Sequence, residues 1–396
     1  MSDRKKVLLY LIYGEKEDYW REVKFSILSA LRFLNEEPDH GIDIVLATDK
    51  LDYLTGWPVV SHPFDPDRLA EWAGPDNYLH RSKNRVMAEV MDRFKGTCIF
   101  IDTDTYFTQS PSRLFERVGP GHTVMHKPEG LILEAHKGIA DYAVGRPLTD
   151  PEGGTYTISA DSMMFNSGVV GLDYADRALL DRALWLVDEL YGPTKVFNVE
   201  QYALGEVLRT RTDLQMSGDL LVHYWGSTRA FFHLSMENFF NDHKDLPLAD
   251  LAGLCGTIRA EVPKNPISQR LWARLQRILG IWSEVYGAAY LAVRASVQQE
   301  GHRTGERASA AFRDYALFLL REERDNCARN FADGKIKSHR LENRLSHMLQ
   351  GREWREVRDP EWLNRFPQEE QDRWDRFWGE TKTLLERVRE AQGRTT

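Results

Sequence analysis

Cysteine is scarce: 396 residues contain only Cys98, Cys255 and Cys327, odd in number and far apart. That spacing offers neither a disulfide framework nor a zinc knuckle, and it fits a reducing cytoplasm. Long apolar runs are missing as well. No stretch approaches the roughly 20 apolar residues that a membrane-spanning helix needs, so the expected location is cytoplasmic, with the inner face of the membrane left open as a resting place. The first residues, MSDRKK then VLLYLIY, begin basic, but the apolar run is short and Gly14-Glu15-Lys16-Glu17-Asp18 stands where a cleavage site would lie. The segment reads as a first strand rather than a signal. Positive charge is not in excess: 52 basic residues against 60 acidic ones leave a net charge of −8, which argues against a nucleic-acid binder held by phosphate contacts. What the chain does contain is apolar residues, 42% of the total, enough for one large core or two ordinary ones and too many for a disordered chain.

Residues 6–13 are apolar and bounded by charge and glycine, which predicts a strand buried on both faces. From Trp20 onward, Val23, Ile27, Leu31 and Leu34 recur at helical spacing. A strand at 42–47, a connection punctuated by proline and glycine to about 78, a helix carrying Val86, Val90, Met91 and Phe94, and a buried strand at 97–101 follow. Strands alternating with helices predict βα units around a mainly parallel sheet. Further strands are expected at 122–125 and 163–172, with a helix through Leu180, Leu184, Val187 and Leu190. Beyond about 245 strand-like runs vanish and charged helical patterns take over, with six of the eleven tryptophans. The expected division is an α/β domain over 1–245 and an α-helical region over 246–396, the connection falling at 245–265 around Pro247, Gly253, Gly256, Pro263 and Pro266.

Four stretches carry chemistry. In Cys98-Ile99-Phe100-Ile101-Asp102-Thr103-Asp104, two carboxylates leave the carboxyl end of a buried strand, the edge where open α/β sheets collect ligands. With one residue between them, Asp102 and Asp104 can converge on a hard divalent cation; turns also use aspartate for local hydrogen bonds, and it is the preceding strand that favours a metal. In His223-Tyr224-Trp225-Gly226-Ser227-Thr228-Arg229, histidine offers an imidazole ligand, Gly226 a close backbone approach and Arg229 a fixed cation for phosphate. Asn166-Ser167-Gly168 interrupts an otherwise apolar strand, as a bulge or a ligand contact would. Asn198-Val199-Glu200-Gln201 puts an acid and an amide at an expected helix start with Asn198 as its cap.

In that order, the four stretches resemble the nucleotide-sugar transferases of the GT-A fold, particularly glycosyltransferase family 8, over residues 5–232. The resemblance implies that Asp102, Asp104 and His223 bind Mn2+, or Mg2+, which holds the diphosphate of a UDP-sugar. It also implies that Arg229, where the family usually has lysine, contacts phosphate together with Thr103 and Gly226. Glu200-Gln201, usually Asp-Gln, would lie by the sugar with Asn166 and Ser167, and Gln201 near the anomeric carbon of a reaction that retains configuration. Tyr10, Leu11 and Tyr13 at the end of the first strand would meet uracil and ribose, with Tyr19 a further aromatic candidate there. Lys83, in His80-Arg81-Ser82-Lys83-Asn84-Arg85, would stand near the donor, and Asp161 is a candidate for a sugar hydroxyl.

The resulting expectation is a metal-dependent hexosyltransferase acting on a glycan, lipid-linked or protein acceptor. Two alternatives stand beside it. One is a nucleotidyltransferase making a sugar nucleotide, which relies on a glycine-rich loop behind the first strand where this chain has only Gly14. The other is a non-catalytic scaffold on a transferase fold. In the C-terminal third, the stripe Leu271, Leu275, Ile278, Leu279, Trp282 and Tyr286, with Arg270, Arg274 and Arg277 alongside, suits either peripheral membrane contact or packing on the catalytic domain or a second copy.

Overall fold

The structure is a computed structural model that describes residues 5–225, 227–260, 305–333, 336–350 and 356–390, with the single positions 289, 292, 293 and 354. Gly226, Trp272, Trp282 and almost all of the 270–297 stripe lie outside the described residues. The strands are β1 Lys6–Ile12, β2 Ile42–Thr48, β3 Val60–Pro63, β4 Thr97–Ile101, β5 Thr105–Phe107, β6 His122–Leu131, β7 Pro147–Thr149, β8 Thr155–Thr157, β9 Met163–Leu172, β10 Asp213–Met216 and β11 Leu221–His223. Among the described residues, the helices of seven residues or more are α1 Glu17–Leu34, α2 Pro66–Ala73, α3 Ser82–Phe94, α4 Lys137–Ala143, α5 Ala178–Thr194, α6 Val199–Arg211, α7 Ser227–Asp242, α8 Leu248–Leu254, α9 Gly305–Ala332, α10 Ser338–Gln350 and α11 Gln368–Glu390. None of the described helices is long and apolar enough to cross a membrane.

The protein is α/β, built on a seven-stranded sheet of order β10-β6-β9-β4-β1-β2-β3 in which β9 alone runs against its neighbours. Alternation along β1 divides the core between the two faces. Val7 and Leu9 join the cluster formed with Val86, Val90, Met91, Leu186 and Leu204 of α3, α5 and α6. Tyr10 points the other way, its hydroxyl 3.0 Å from Ser26 Oγ on α1. The apolar stripe of α1 is buried as its spacing predicts, at Val23, Ile27, Leu31 and Leu34. It also carries a buried polar seam. Ser26 Oγ lies 3.3 Å from Thr105 Oγ1, and Ser29 Oγ accepts from the Phe107 amide at 2.8 Å. These bonds anchor β5, which pairs antiparallel with β11 in a small second sheet.

Five elements fall where the sequence pattern shows only loop. β3 and α2 occupy the connection before residue 78, α2 starting on the Asp65 cap, which accepts from the Arg68 amide at 2.8 Å, with proline next. Residues 147–157 form the β7–β8 pair, and β10 extends the sheet beside β6. Strands of three or four residues leave too short a period to read. The Asn198 side chain, expected as a cap, makes no capping hydrogen bond at the start of α6.

The chain divides into two compact units, Met1–Arg229 with Phe239–Arg259, and Ala230–Asn238 with Ala260–Thr396. α8, within the stretch read as a connection, packs on α1 in the first unit. The described residues of the second unit are mainly helical. Its core gathers Leu317, Leu320, Leu341, Leu345, Trp354, Trp374 and Phe377 from α9, α10, α11 and the turn between them.

Candidate functional site

The sheet order decides where a ligand fits. From β1 the chain moves one way to β2 and β3, then crosses back to place β4 on the other side of β1. The two connections diverge at the carboxyl ends of β1 and β4, which opens the crevice in which such sheets bind ligands. A cavity of about 620 Å³ lies there. Ile12 and Tyr13 line it from β1, Asp102 and Asp104 from the end of β4, Asn166 and Ser167 from β9, and Glu200 and Gln201 from α6.

Three backbone pairings bring the charged groups together. The Asp102 amide donates to the Gly168 carbonyl at 2.9 Å, fixing the end of β4 against β9. His223 stands opposite Thr105 in the β11–β5 register, and the Tyr224 amide donates to the Asp104 carbonyl at 3.0 Å. Gly168 leaves room for the imidazole: a Cβ built there would lie 2.3 Å from His223 Nδ1. As a result, one ligand atom each from Asp102, Asp104 and His223 lies within 4.8 Å of the others.

Asn166 sets the tautomer of His223. Its Oδ1 accepts from the Gly168 amide at 3.0 Å, and its Nδ2 donates to Glu129 Oε1 at 2.9 Å, so the orientation of the amide is fixed from both ends. His223 Nδ1 lies 2.8 Å from that same Oδ1, which can only accept. Nδ1 therefore carries a proton, which leaves Nε2, 3.2 Å from Asp104 Oδ1, as the ring atom that can meet a cation held by the carboxylates. This is how a metal-binding histidine is usually oriented by a neighbour. His126 Nδ1 also meets Asn166 Oδ1, at 3.1 Å, and burial with the neighbouring His223 lowers its pKa to about 4, so it stays neutral. Two carboxylates and one imidazole suit Mn2+ or Mg2+. The residues present fit the ion that the sequence resemblance implies.

The wall also carries a charge imbalance. Its carboxylates are Asp102, Asp104, Glu129 and Glu200, and its permanent cations are Lys83 and Arg229. Lys83 is buried, which alone would favour the amine. The carboxylates of Asp102 at 3.2 Å and Glu200 at 3.4 Å outweigh that and hold its pKa above the ordinary value. Its Nζ also donates to the Ser167 carbonyl at 2.9 Å and hydroxyl at 3.0 Å. Burial, opposed by Lys83 and reinforced by Asp102, pushes the Glu200 carboxyl up to about 7. Gln201 bridges the rim, its Nε2 donating to Glu129 Oε2 at 2.8 Å and its Oε1 accepting from the Ser167 amide at 3.4 Å. A crevice so rich in carboxylate repels a free phosphate and attracts a divalent cation.

The expected residues do not all arrive. Leu11, Tyr13, Lys83, Asp102, Thr103, Asp104, Asn166, Ser167, Glu200, Gln201, His223 and Arg229 line the cavity. Tyr10 does not: strand alternation turns it into the core against α1, and it is fully buried. Asp161 is exposed and held by Ser159 and the field of Arg209, outside the cavity wall. Arg229 is present but already gripped. Its Nε and Nη2 donate to the two oxygens of the wholly buried Glu22 at 2.6 and 2.7 Å, leaving Nη1 3.3 Å from Asp104 Oδ2. Thr103 donates to Glu22 as well, at 3.0 Å. Glu22, His126 and Glu129 were not among the expected residues. For Glu22 a signal exists, since Glu22, Ser26 and Ser29 form a polar stripe at helical spacing within a buried helix. His126 and Glu129 lie where β6 breaks register against β9, between Met125 and Lys127 and between Pro128 and Gly130, and nothing in the local pattern marks them.

No protein-family model matches the chain, and no curated protein matches it.

Proposed function

We propose that the chain is a metal-dependent glycosyltransferase of the GT-A fold, similar to family 8, that moves a hexose from a nucleoside-diphosphate sugar, UDP-hexose first among them, to a glycan, lipid-linked or protein acceptor. The observation that carries this reading is the convergence of Asp102, Asp104 and a tautomer-fixed His223 at the β1/β4 switch point.

Asp102, Asp104 and His223 would hold Mn2+ or Mg2+, whose chemistry when bound is neutralisation of charge on a departing diphosphate. The chain's own groups divide the remaining tasks. Lys83 and Arg229 add fixed positive charge beside the phosphates, and such preorganised charge stabilises a leaving anion without a dedicated acid. Because Glu22 holds the fork of Arg229, Nη1 is the donor left for phosphate and Glu22 sets its direction. Leu11 and Tyr13 offer an apolar edge to the base and ribose, with Tyr19 on the same wall. Glu200, Gln201 and Ser167 stand at the sugar end. Asn166 positions His223 instead of meeting the reacting atoms, since both ends of its amide are engaged. Gln201 beside the anomeric carbon, and retention of configuration, follow from the family resemblance.

The test is calorimetric titration of UDP into the metal-free chain with and without Mn2+, followed by a panel of UDP-, GDP- and TDP-sugars. Manganese-dependent UDP binding supports the reading. Equal binding in EDTA, or no binding of any nucleotide, rejects it.

A further inference from the structure

A second cavity, of about 380 Å³, lies within the first unit and shares no described residue with the candidate site. Lys24, at the middle of α1, and Lys244, just beyond α7, face it. No described residue forms a hydrogen bond or ion pair with either ammonium. Lys24 is half-buried, and burial lowers its pKa, with Arg21 adding to the shift and Glu17 opposing it. A cation left partly desolvated without a partner costs free energy that a bound anion would recover. The described wall contains no carboxylate that could supply that anion from within.

Apart from Thr55, Gly56 and His243, the rest of the wall is apolar. Trp57, Phe240, Leu246, Leu248 and Leu251 line it, and Leu246 is 38% exposed. His243 is tied through Nδ1 to the Phe239 carbonyl at 2.8 Å, so its ring is held in place beside them. A free inorganic anion would use the lysines and ignore these surfaces. A neutral apolar molecule would cover the surfaces and leave the lysines unpaired.

We propose that this cavity binds an acidic amphiphile, its phosphate or carboxylate head held by Lys24 and Lys244 and its hydrocarbon laid against Trp57, Phe240 and Leu251. The site is independent of the transferase reading.

The experiment titrates the full chain with dodecyl phosphate below its aggregation concentration, beside inorganic phosphate and dodecyl maltoside. Dodecyl phosphate should bind at one site and far more tightly than either control. Lys24→Gln and Trp57→Ala should each weaken it by about tenfold, the loss expected for one charge-assisted bond or one buried aromatic contact, with manganese-dependent UDP binding unchanged. Lys244 is exposed, so Lys244→Gln preserves the fold and should weaken binding in the same direction. Affinity equal to that of inorganic phosphate, equal to that of the maltoside, or unaltered in all three variants would overturn the proposal. Flotation with phosphatidylglycerol vesicles then separates the sources: co-flotation that the lysine variants lose identifies a bilayer lipid, and dodecyl phosphate binding without flotation identifies a detached amphiphile, either of which upholds the site.

Discussion

Two sets of buried charge, one in each unit of this protein, are built in opposite ways. In the helical unit, Arg313 of α9 and Glu370 of α11 form a pair whose side chains are 3% and 5% exposed, with the guanidinium 3.5 Å from the Phe366 ring centroid. Cation meets anion there, and the rings of Phe366 and Trp362 lie against the guanidinium. In the α/β unit, carboxylates outnumber cations around a cavity open to ligand. A balanced and covered pair holds helices together, whereas an unbalanced set at a sheet's switch point waits for a ligand to complete it. The first set needs nothing further to balance it, whereas the second is one that a bound cation would neutralise.

The sharpest way to break this comparison is to remove one charge from each side. Asp104→Ala should lower manganese-dependent transfer from the sugar nucleotide by about a thousandfold, as loss of several kcal/mol of charge stabilisation requires, while thermal unfolding stays near wild type. Glu370→Ala should do the reverse. Removing the carboxylate partner of the buried Arg313 costs about 3–5 kcal/mol, seen as a lowered denaturation midpoint, with UDP affinity of the remaining folded protein retained. If Asp104→Ala unfolds the chain, or Glu370→Ala leaves its stability intact, the distinction fails.

A smaller effect tests the orienting shell. Asn166→Ala releases His223 Nδ1 and the Gly168 amide together, and manganese affinity should fall by roughly 10–100-fold, measured by competition with a chelating dye. Wild-type affinity would show that the histidine needs no such partner.

The smallest effect concerns pH. Glu200 titrates at about 7 in the folded protein against an ordinary 4.5. Between those values the folded state holds a proton that the unfolded chain has released, so this group's contribution to stability falls as pH rises from 4.5 to 7. Glu200→Gln keeps the neutral shape at every pH. It should melt higher than wild type at pH 8, by roughly 2–4 °C, and match it at pH 4. Equal melting temperatures at both pH values would mean that Lys83 cancels the cost of burying this carboxylate.

The long elements were legible because their periods are long. α1, β4 and β9 follow the apolar spacing of their residues, and Asp102, Asp104 and His223, brought within reach by β4, β9 and the β5–β11 pairing, were marked by residue type at strand ends. Short elements were not. β3, β7, β8 and β10 span four residues or fewer, where alternation cannot be told from chance. The side chains that differ from expectation do so through direction and through tertiary partners. Tyr10 has the right residue type and the right strand end, but the period of two sends it to the α1 face. Arg229, expected as a fixed cation for phosphate, has its fork held by Glu22, 207 residues away in the chain, a pairing that only the tertiary fold creates. The neighbours Glu129 and His126 depend on breaks in register that carry no mark in sequence.

The most direct measurement is UDP binding to the full chain as manganese is titrated from zero, in wild type and Asp102→Asn side by side. A metal-dependent nucleotide site requires negligible wild-type affinity in EDTA, a rise of at least about a hundredfold as the ion saturates, and no such rise in Asp102→Asn. Wild-type binding that is equally strong in EDTA and in manganese would contradict it.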